Sequence, residues 1–264
     1  DKSPPWTKLL WGTKSNRMHS MDGVDLKISC GEVVLLVGKS GSGKSTLMKL
    51  IGSLELPTTG RVVAEAREQN EPLTLAPLYL DSTPDFGSSF GGEDGMSVAS
   101  CIASVAEMTE NEIIRSSGDD SYCYIYDVCQ AIGLTKADLQ RSVSQLPTSA
   151  RFQLQLGCGL IEARRRICSL REDSRQPQFS TLVTNRLLPL ILLDEWLDKE
   201  VTNTVKKVEK TLHDCASLLG CVVLVATHQP SHYSASTRTL LINGGKVKRD
   251  DSLQQLSESG WLSY

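Results

Sequence analysis

An α/β fold with a mostly parallel core sheet, an antiparallel β edge and an inserted helical subdomain is predicted by three features of this sequence. The first is a series of short apolar runs: "EVVLLV" (Glu32 to Val37), "LAPLYL" (Leu75 to Leu80), "LLPLILL" (Leu187 to Leu193) and "CVVLVA" (Cys221 to Ala226). Near-continuous apolar strands of this length suit a parallel sheet covered on both faces. The second is a change of period between about residues 96 and 165, where "MSVASCIASVAEM", "YIYDVCQAIGL" and "RFQLQLGCGLIEARRR" carry apolar residues three and four apart, the spacing of helices. The third concerns the two ends of the sheet. "SMDGVDLKISCGEVVLLV" alternates and contains Gly turns, which predicts an antiparallel edge before the first apolar strand. "TLLINGGKVKRD" reads as a hairpin whose Asn243-Gly244-Gly245 tolerates positive φ.

The first strand runs directly into "VGKSGSGKSTLMKL". Gly38, Gly43, Lys44 and Ser45 fit G-x-x-x-x-G-K-[ST], with a strand before and a helix after. The candidate cradle comprises Gly38, Lys39, Ser40, Gly41, Ser42, Gly43, Lys44, Ser45 and Thr46. Glycines let successive backbone N–H groups turn toward one point, and the following helix adds the positive end of its dipole, so a β-phosphate sits among donors. Lys44 is expected to reach the β- and γ-phosphates, and Ser45 to offer its hydroxyl to Mg²⁺. Further on, "LILLDEW" supplies the acidic half of such a site. Asp194 ends a buried strand and is the expected metal-side carboxylate, with Glu195 directed toward the γ-phosphate. "CVVLVATHQP" then puts His228 at the carboxyl end of another strand, the rim where open α/β sheets bind ligands. A neutral imidazole there can bond the γ-phosphate or the attacking water.

At 264 residues the chain is long enough to bury a sizeable core. Its 40% hydrophobic and 22% charged residues and formal net charge of −3 argue against a general nucleic-acid binder, so no nucleic acid is expected among its partners. No apolar run is long enough to cross a bilayer, and "DKSPPWTKLL" lacks the core of a secretory signal, so the chain itself is expected to be soluble. It begins without Met, which makes residue 1 an expected processing point in a longer protein that could carry a membrane domain. Eight cysteines are scattered without a C-x-x-C pair or a metal-site spacing, which favours reduced thiols and a reducing compartment over a disulfide framework. The expected organisation is one domain over 1–264, with a core of about 1–82 and 187–264, a helical subdomain of about 96–165 and an Arg-rich insertion of about 164–186. "STPDFGSSFGGEDGMS" and "RRRICSLREDSRQPQFSTLVTNR" read as loops, the second as a solvated surface insertion rather than a contact for RNA or acidic partners.

These motifs, in this order, resemble the nucleotide-binding domain of ATP-binding-cassette (ABC) proteins. "MDGVDLKISCGEVVLLVGKSGSGKSTLMKLIGSLELPTTGRV" is similar to the family's opening stretch, "LILLDEW" to its Walker B with catalytic glutamate, and "ATH" to its switch histidine. "TLLINGGKVKRDDSLQQLSESGWL" resembles the closing strands and helix, most like those of exporters. The resemblance covers about Met21 to Leu262 and implies a P-loop NTPase of the ABC type. Its expected ligands are ATP and Mg²⁺, with Ser45 and Asp194 on the metal, Glu195 and His228 catalytic, and an aromatic stacking on adenine, for which Trp11 is placed.

Three departures accompany the resemblance. The signature LSGGQ is replaced by "LPTSA" (Leu146 to Ala150), without either glycine. Asp81 or Ser82 stands near the family's Gln, and "EWLDKE" shortens the segment after the glutamate, leaving Asp198 as its Asp. Since each ATP in the family lies between one domain's P-loop and the other's signature, the resemblance implies a second ABC domain, with a heterodimer favoured. It also implies a transmembrane domain or membrane subunit, and a membrane-associated location on a cytosolic, matrix or stromal side. The alternatives are an ATP-dependent scaffold with little hydrolysis, and a GTPase. The second is suggested by "TKAD" (Thr135 to Asp138), which follows a helical stretch rather than the strand a base-reading loop requires.

Overall fold

The apolar runs are buried from both sides because neighbouring residues in each strand feed different cores. A computed structural model describes residues 21–64, 73–81, 96–116, 124–170 and 187–262, without the side chains of 167–170. Its sheet contains β1 (Val33–Val37), β2 (Thr74–Asp81), β3 (Leu187–Asp194), β4 (Val222–Thr227), β5 (Arg238–Asn243) and β6 (Lys246–Ser252), in the order β2-β3-β4-β1-β5-β6. All neighbours are parallel except β5 and β6, which form the antiparallel hairpin. Val34, Leu36, Leu190, Leu192, Leu224 and Ile242 face one core with Leu47 and Met48 of helix α1 (Lys44–Ile51). Val33, Leu35, Val37, Ile191, Leu193 and Val223 face the other. Alternation of side chains across a pleated strand makes both sets apolar.

Between β2 and β3 the chain forms α2 (Val98–Ala106), α3 (Glu110–Ser116), α4 (Tyr124–Ala131), α5 (Lys136–Leu139) and α6 (Thr148–Leu170). These helices do not build a separate core. Ile102, Ile125, Phe152 and Leu156 belong to the same buried cluster as Leu35 and Ile191 of the sheet. Helix α6 passes close to β2 because Gly159 leaves room: a Cβ there would lie 2.6 Å from Leu78 Cδ1. Helix α7 (Thr202–Leu219) buries Val205, Val208, Leu212 and Cys215 against that face and stops at Gly220, whose φ is 63°. Helix α8 (Leu253–Glu258) follows the hairpin with a Ser252/Gln255 capping box.

Two expectations change. The antiparallel edge does not lie ahead of β1: among the described residues, 21–32 form no strand. Their alternation is nevertheless used, because Met21, Val24 and Leu26 pack into the α1-side core as irregular chain. Bonds from Asp22 N–H to Gly245 O (2.8 Å) and from Gly31 N–H to Cys221 O (2.9 Å) tether this segment without a ladder. The predicted Arg-rich loop also begins later than expected, since α6 continues through Arg164, Arg165 and Arg166 to Leu170. Arg164 is buried, its guanidinium 4.2 Å from the centre of the Tyr124 ring. Arg165 pairs with Glu107, and Arg166 with Glu162 one turn earlier. The remainder of that stretch, 171–186, lies outside the described residues, as do most of the Gly/Ser-rich loop, Ser82 and Trp11. Among the described residues no helix is long and apolar enough to cross a membrane.

Candidate functional site

The turn from β1 into α1 makes a phosphate-sized cradle for local reasons. Gly43 precedes the helix at φ 109°, a backbone state that side chains rarely adopt, and no side chain caps the helix start. The first-turn N–H groups of α1 are thus left for an external acceptor, and no acidic residue competes there. Gly38 is required by close approach: a Cβ would lie 2.2 Å from Ile242 O and 2.7 Å from Ser42 Oγ. Lys44 is buried and donates from Nζ to Gly38 O at 2.9 Å and Lys39 O at 3.4 Å. The ammonium therefore lies across its own loop. Burial lowers its pKa from the ordinary lysine value, opposed by the charges of Glu195, Asp194 and Asp198.

A groove of about 600 Å³ opens over this turn, lined by residues 40–46, Glu195, Gly244 and Gly245. The sequence reads the last two only as a hairpin turn. The fold carries that turn to the loop, where Gly245 N–H donates to Ser42 O at 3.0 Å.

The acidic side of the site is built by parallel pairing of β2, β3 and β4. Asp194 is the last residue of β3 and is 9% exposed. Its Oδ2 accepts from the Tyr79 hydroxyl at 2.6 Å, while Oδ1 is buried without a partner among the described residues. A buried carboxylate oxygen left open at the strand end near Lys44 suits a hard divalent cation. Burial, then the Asp194 hydrogen bond, pushes the Tyr79 phenol well above its ordinary value.

Glu195 turns out of the strand with φ 55° and donates its N–H to Ala226 O at 2.9 Å. One of its carboxylate oxygens, Oε1, lies 2.6 Å from His228 Nε2. Asp198 fixes the other side of this pair, accepting from Thr227 Oγ1 at 2.6 Å and from His228 N–H at 2.7 Å. The shortened "EWLDKE" turn thus binds the end of β4. Trp196 is buried, packs edge-on against Phe152 with centroids 4.8 Å apart, and donates Nε1–H to Gln155 Oε1 at 3.2 Å. Both partners belong to α6.

The structure therefore brings Lys44, Ser45, Asp194, Glu195 and His228 to one rim of the sheet. It does not bring Leu146–Ala150 there: that segment leads into α6, whose first residues are Thr148–Ala150, and does not line the groove. Asp81 lies opposite Asp194 in the β2–β3 register and is exposed. Tyr79 and Trp196 were missed by sequence reasoning. Their partners are 115 and 41 positions away, with no local motif to signal them.

Comparison with known proteins agrees with this arrangement. The family model described as "ABC transporter" matches residues 21–90. An sn-glycerol-3-phosphate import ATP-binding protein of Chromohalobacter salexigens is 26% identical over 237 residues, covering 89% of this chain and 54% of that protein. A macrolide export ATP-binding/permease protein of Hyphomonas neptunium is 46% identical over 87 residues, 30% of this chain and 14% of that protein. The chain thus spans about half the length, or less, of these curated relatives. Among solved structures, cbiO1 from Clostridium perfringens, part of an ABC transporter complex, superposes with a TM-score of 0.63 at 17% identity, covering 96% of this chain and 89% of that one. This last likeness is one of fold.

Proposed function

We propose that this chain, an ATP-binding cassette of the ABC transporter class, binds ATP with Mg²⁺ in the groove over residues 40–46 and hydrolyses it to drive a conformational change in a transporter partner. The observation carrying this reading is the meeting, on one rim, of the uncapped α1 N-terminus and Lys44 with the open Asp194 oxygen and the Glu195–His228 pair. Lys44 exchanges its two loop carbonyls for the β- and γ-phosphate oxygens, and the first-turn amides of α1 donate to the remaining phosphate oxygens. Ser45 and Asp194 would hold Mg²⁺, which when bound neutralises developing charge on the phosphates. Glu195 orients the attacking water and takes its proton as the water oxygen bonds to the γ-phosphorus and the bond to the ADP oxygen breaks. His228 holds the Glu195 carboxylate in place through Nε2.

Binding is tested by Lys44→Ala in calorimetry with ATP. Loss of a charge-assisted contact of about 1.5–3 kcal/mol corresponds to roughly ten- to hundredfold weaker affinity. An unchanged affinity would show that this loop is not the site.

The partner domain is proposed from the segment Leu146–Ala150. In an ABC pair this segment faces the other domain's nucleotide, and here Thr148 and Ser149 carry Cβ atoms where the family has glycine. We therefore favour a heterodimer whose sound site combines this P-loop with a partner's intact signature. The same substitution supports a second reading, an ATP-dependent scaffold with little turnover. The scattered free thiols, among them buried Cys101, Cys158, Cys215 and Cys221, favour a reducing side of the membrane to which the partner would attach it.

A further inference from the structure

Asp194 has one oxygen committed and one open, and the residue responsible comes from another strand. Tyr79 stands two residues before the end of β2. In the parallel register it lies opposite Leu192, with Asp81 opposite Asp194, so Tyr79 and Asp194 project from the same face of the sheet. The Tyr79 ring packs against the α1-side core, and its hydroxyl reaches forward to donate to Asp194 Oδ2 at 2.6 Å. Oδ1 is left buried without a partner among the described residues. The two oxygens are chemically equivalent, so what the donor fixes is the plane of the carboxylate: with one oxygen held by the phenol, the other points in a single direction.

We infer that Tyr79 is a positioning residue for Asp194, holding Oδ2 so that Oδ1 is presented to the divalent cation that accompanies ATP. This rests on the reading of Asp194 given under Proposed function. Tyr79 is not needed to join its strand to β3, because backbone pairing already runs along both strands from Thr74–Leu187 to Asp81–Asp194. The phenol acts on the carboxylate's orientation, the kind of outer contact whose loss typically weakens metal binding ten- to hundredfold.

The test compares ATP affinity by calorimetry in excess Mn²⁺ and in EDTA, for the wild-type chain and for Tyr79→Phe, which removes the hydroxyl alone. The expected result is an affinity in EDTA equal to wild type and a gain on adding Mn²⁺ that is about tenfold smaller than in wild type. Adding Tyr79→Phe to Asp194→Ala should change nothing further, since the phenol then has no carboxylate to hold. A Mn²⁺-dependent gain as large in Tyr79→Phe as in wild type overturns the role of Tyr79 while leaving that of Asp194 standing. Equal losses with and without Mn²⁺ overturn it too, because they mark general damage to the site. A wild-type chain whose ATP affinity ignores Mn²⁺ overturns the reading of Asp194 itself, and this inference with it.

Discussion

Glu195 occupies the left-handed region at φ 55°, with Ser53 and Glu107 the only other non-glycine residues to do so among the described residues. A side chain at positive φ is disfavoured and persists where surrounding contacts hold it. Here the contacts are its own N–H to Ala226 O, its carboxylate to His228, and Asp198 bonded to both Thr227 and His228 N–H. The turn directs the carboxylate over the groove rather than along the strand. Glu195→Gln keeps this shape but removes the anion that, under the proposed function, receives the water proton. Single-turnover hydrolysis should fall by about a hundredfold or more, with ATP affinity largely retained. Equal rates in variant and wild type, or no hydrolysis in either with every partner present, would favour the scaffold. Glu195 and His228 were legible in the sequence as single residues at strand ends. Their direct bond was not, because it depends on the register of β3 against β4.

At the level of elements, helix α6 connects the signature-like segment with the turn that carries Glu195. It begins at Thr148, inside the Leu146–Ala150 segment, and near that start Phe152 and Gln155 contact Trp196, the residue next to Glu195. The start of α6 and the turn that carries Glu195 are thus joined by a packed ring rather than by a loop. Trp196→Ala should cost about 3–5 kcal/mol, as expected for emptying a buried tryptophan site, seen as a lower urea midpoint. Trp196→Phe keeps most of the packing and loses the bond to Gln155, about 1 kcal/mol. A Trp196→Ala midpoint equal to wild type would show that the ring bears no load. The sequence marked α6 by its three- and four-residue spacing but stopped it at the arginines. Charge there suggests solvent, whereas the fold buries Arg164 over Tyr124 and pairs Arg165 and Arg166 with glutamates.

For the molecule as a whole, the helices inserted between β2 and β3 share one apolar cluster with the sheet, so within this chain the signature-like segment is held at a distance from the P-loop groove. Under the proposed function, a second domain supplies what covers the nucleotide. Under the heterodimer reading, the isolated chain carrying Glu195→Gln should stay monomeric in ATP by analytical ultracentrifugation, although that variant would trap a closed pair. A stable ATP-dependent homodimer that hydrolyses ATP at rates usual for the family once Glu195 is restored would refute it.

The sequence by itself determined the strands and helices, the P-loop and the acidic and histidine residues facing it, because each is written in a short run of consecutive residues whose period or spacing has one physical reading. Only the tertiary structure decided which end of the sheet is antiparallel, since the alternation in 21–32 and the alternation of a strand are identical until packing or pairing claims them. It also decided which residues serve the site from afar: Tyr79 on Asp194, Trp196 on α6, and the Gly244–Gly245 turn on the P-loop. Each of those contacts joins segments far apart in the chain, and strand register and helix placement, which no local pattern encodes, bring them within hydrogen-bonding reach.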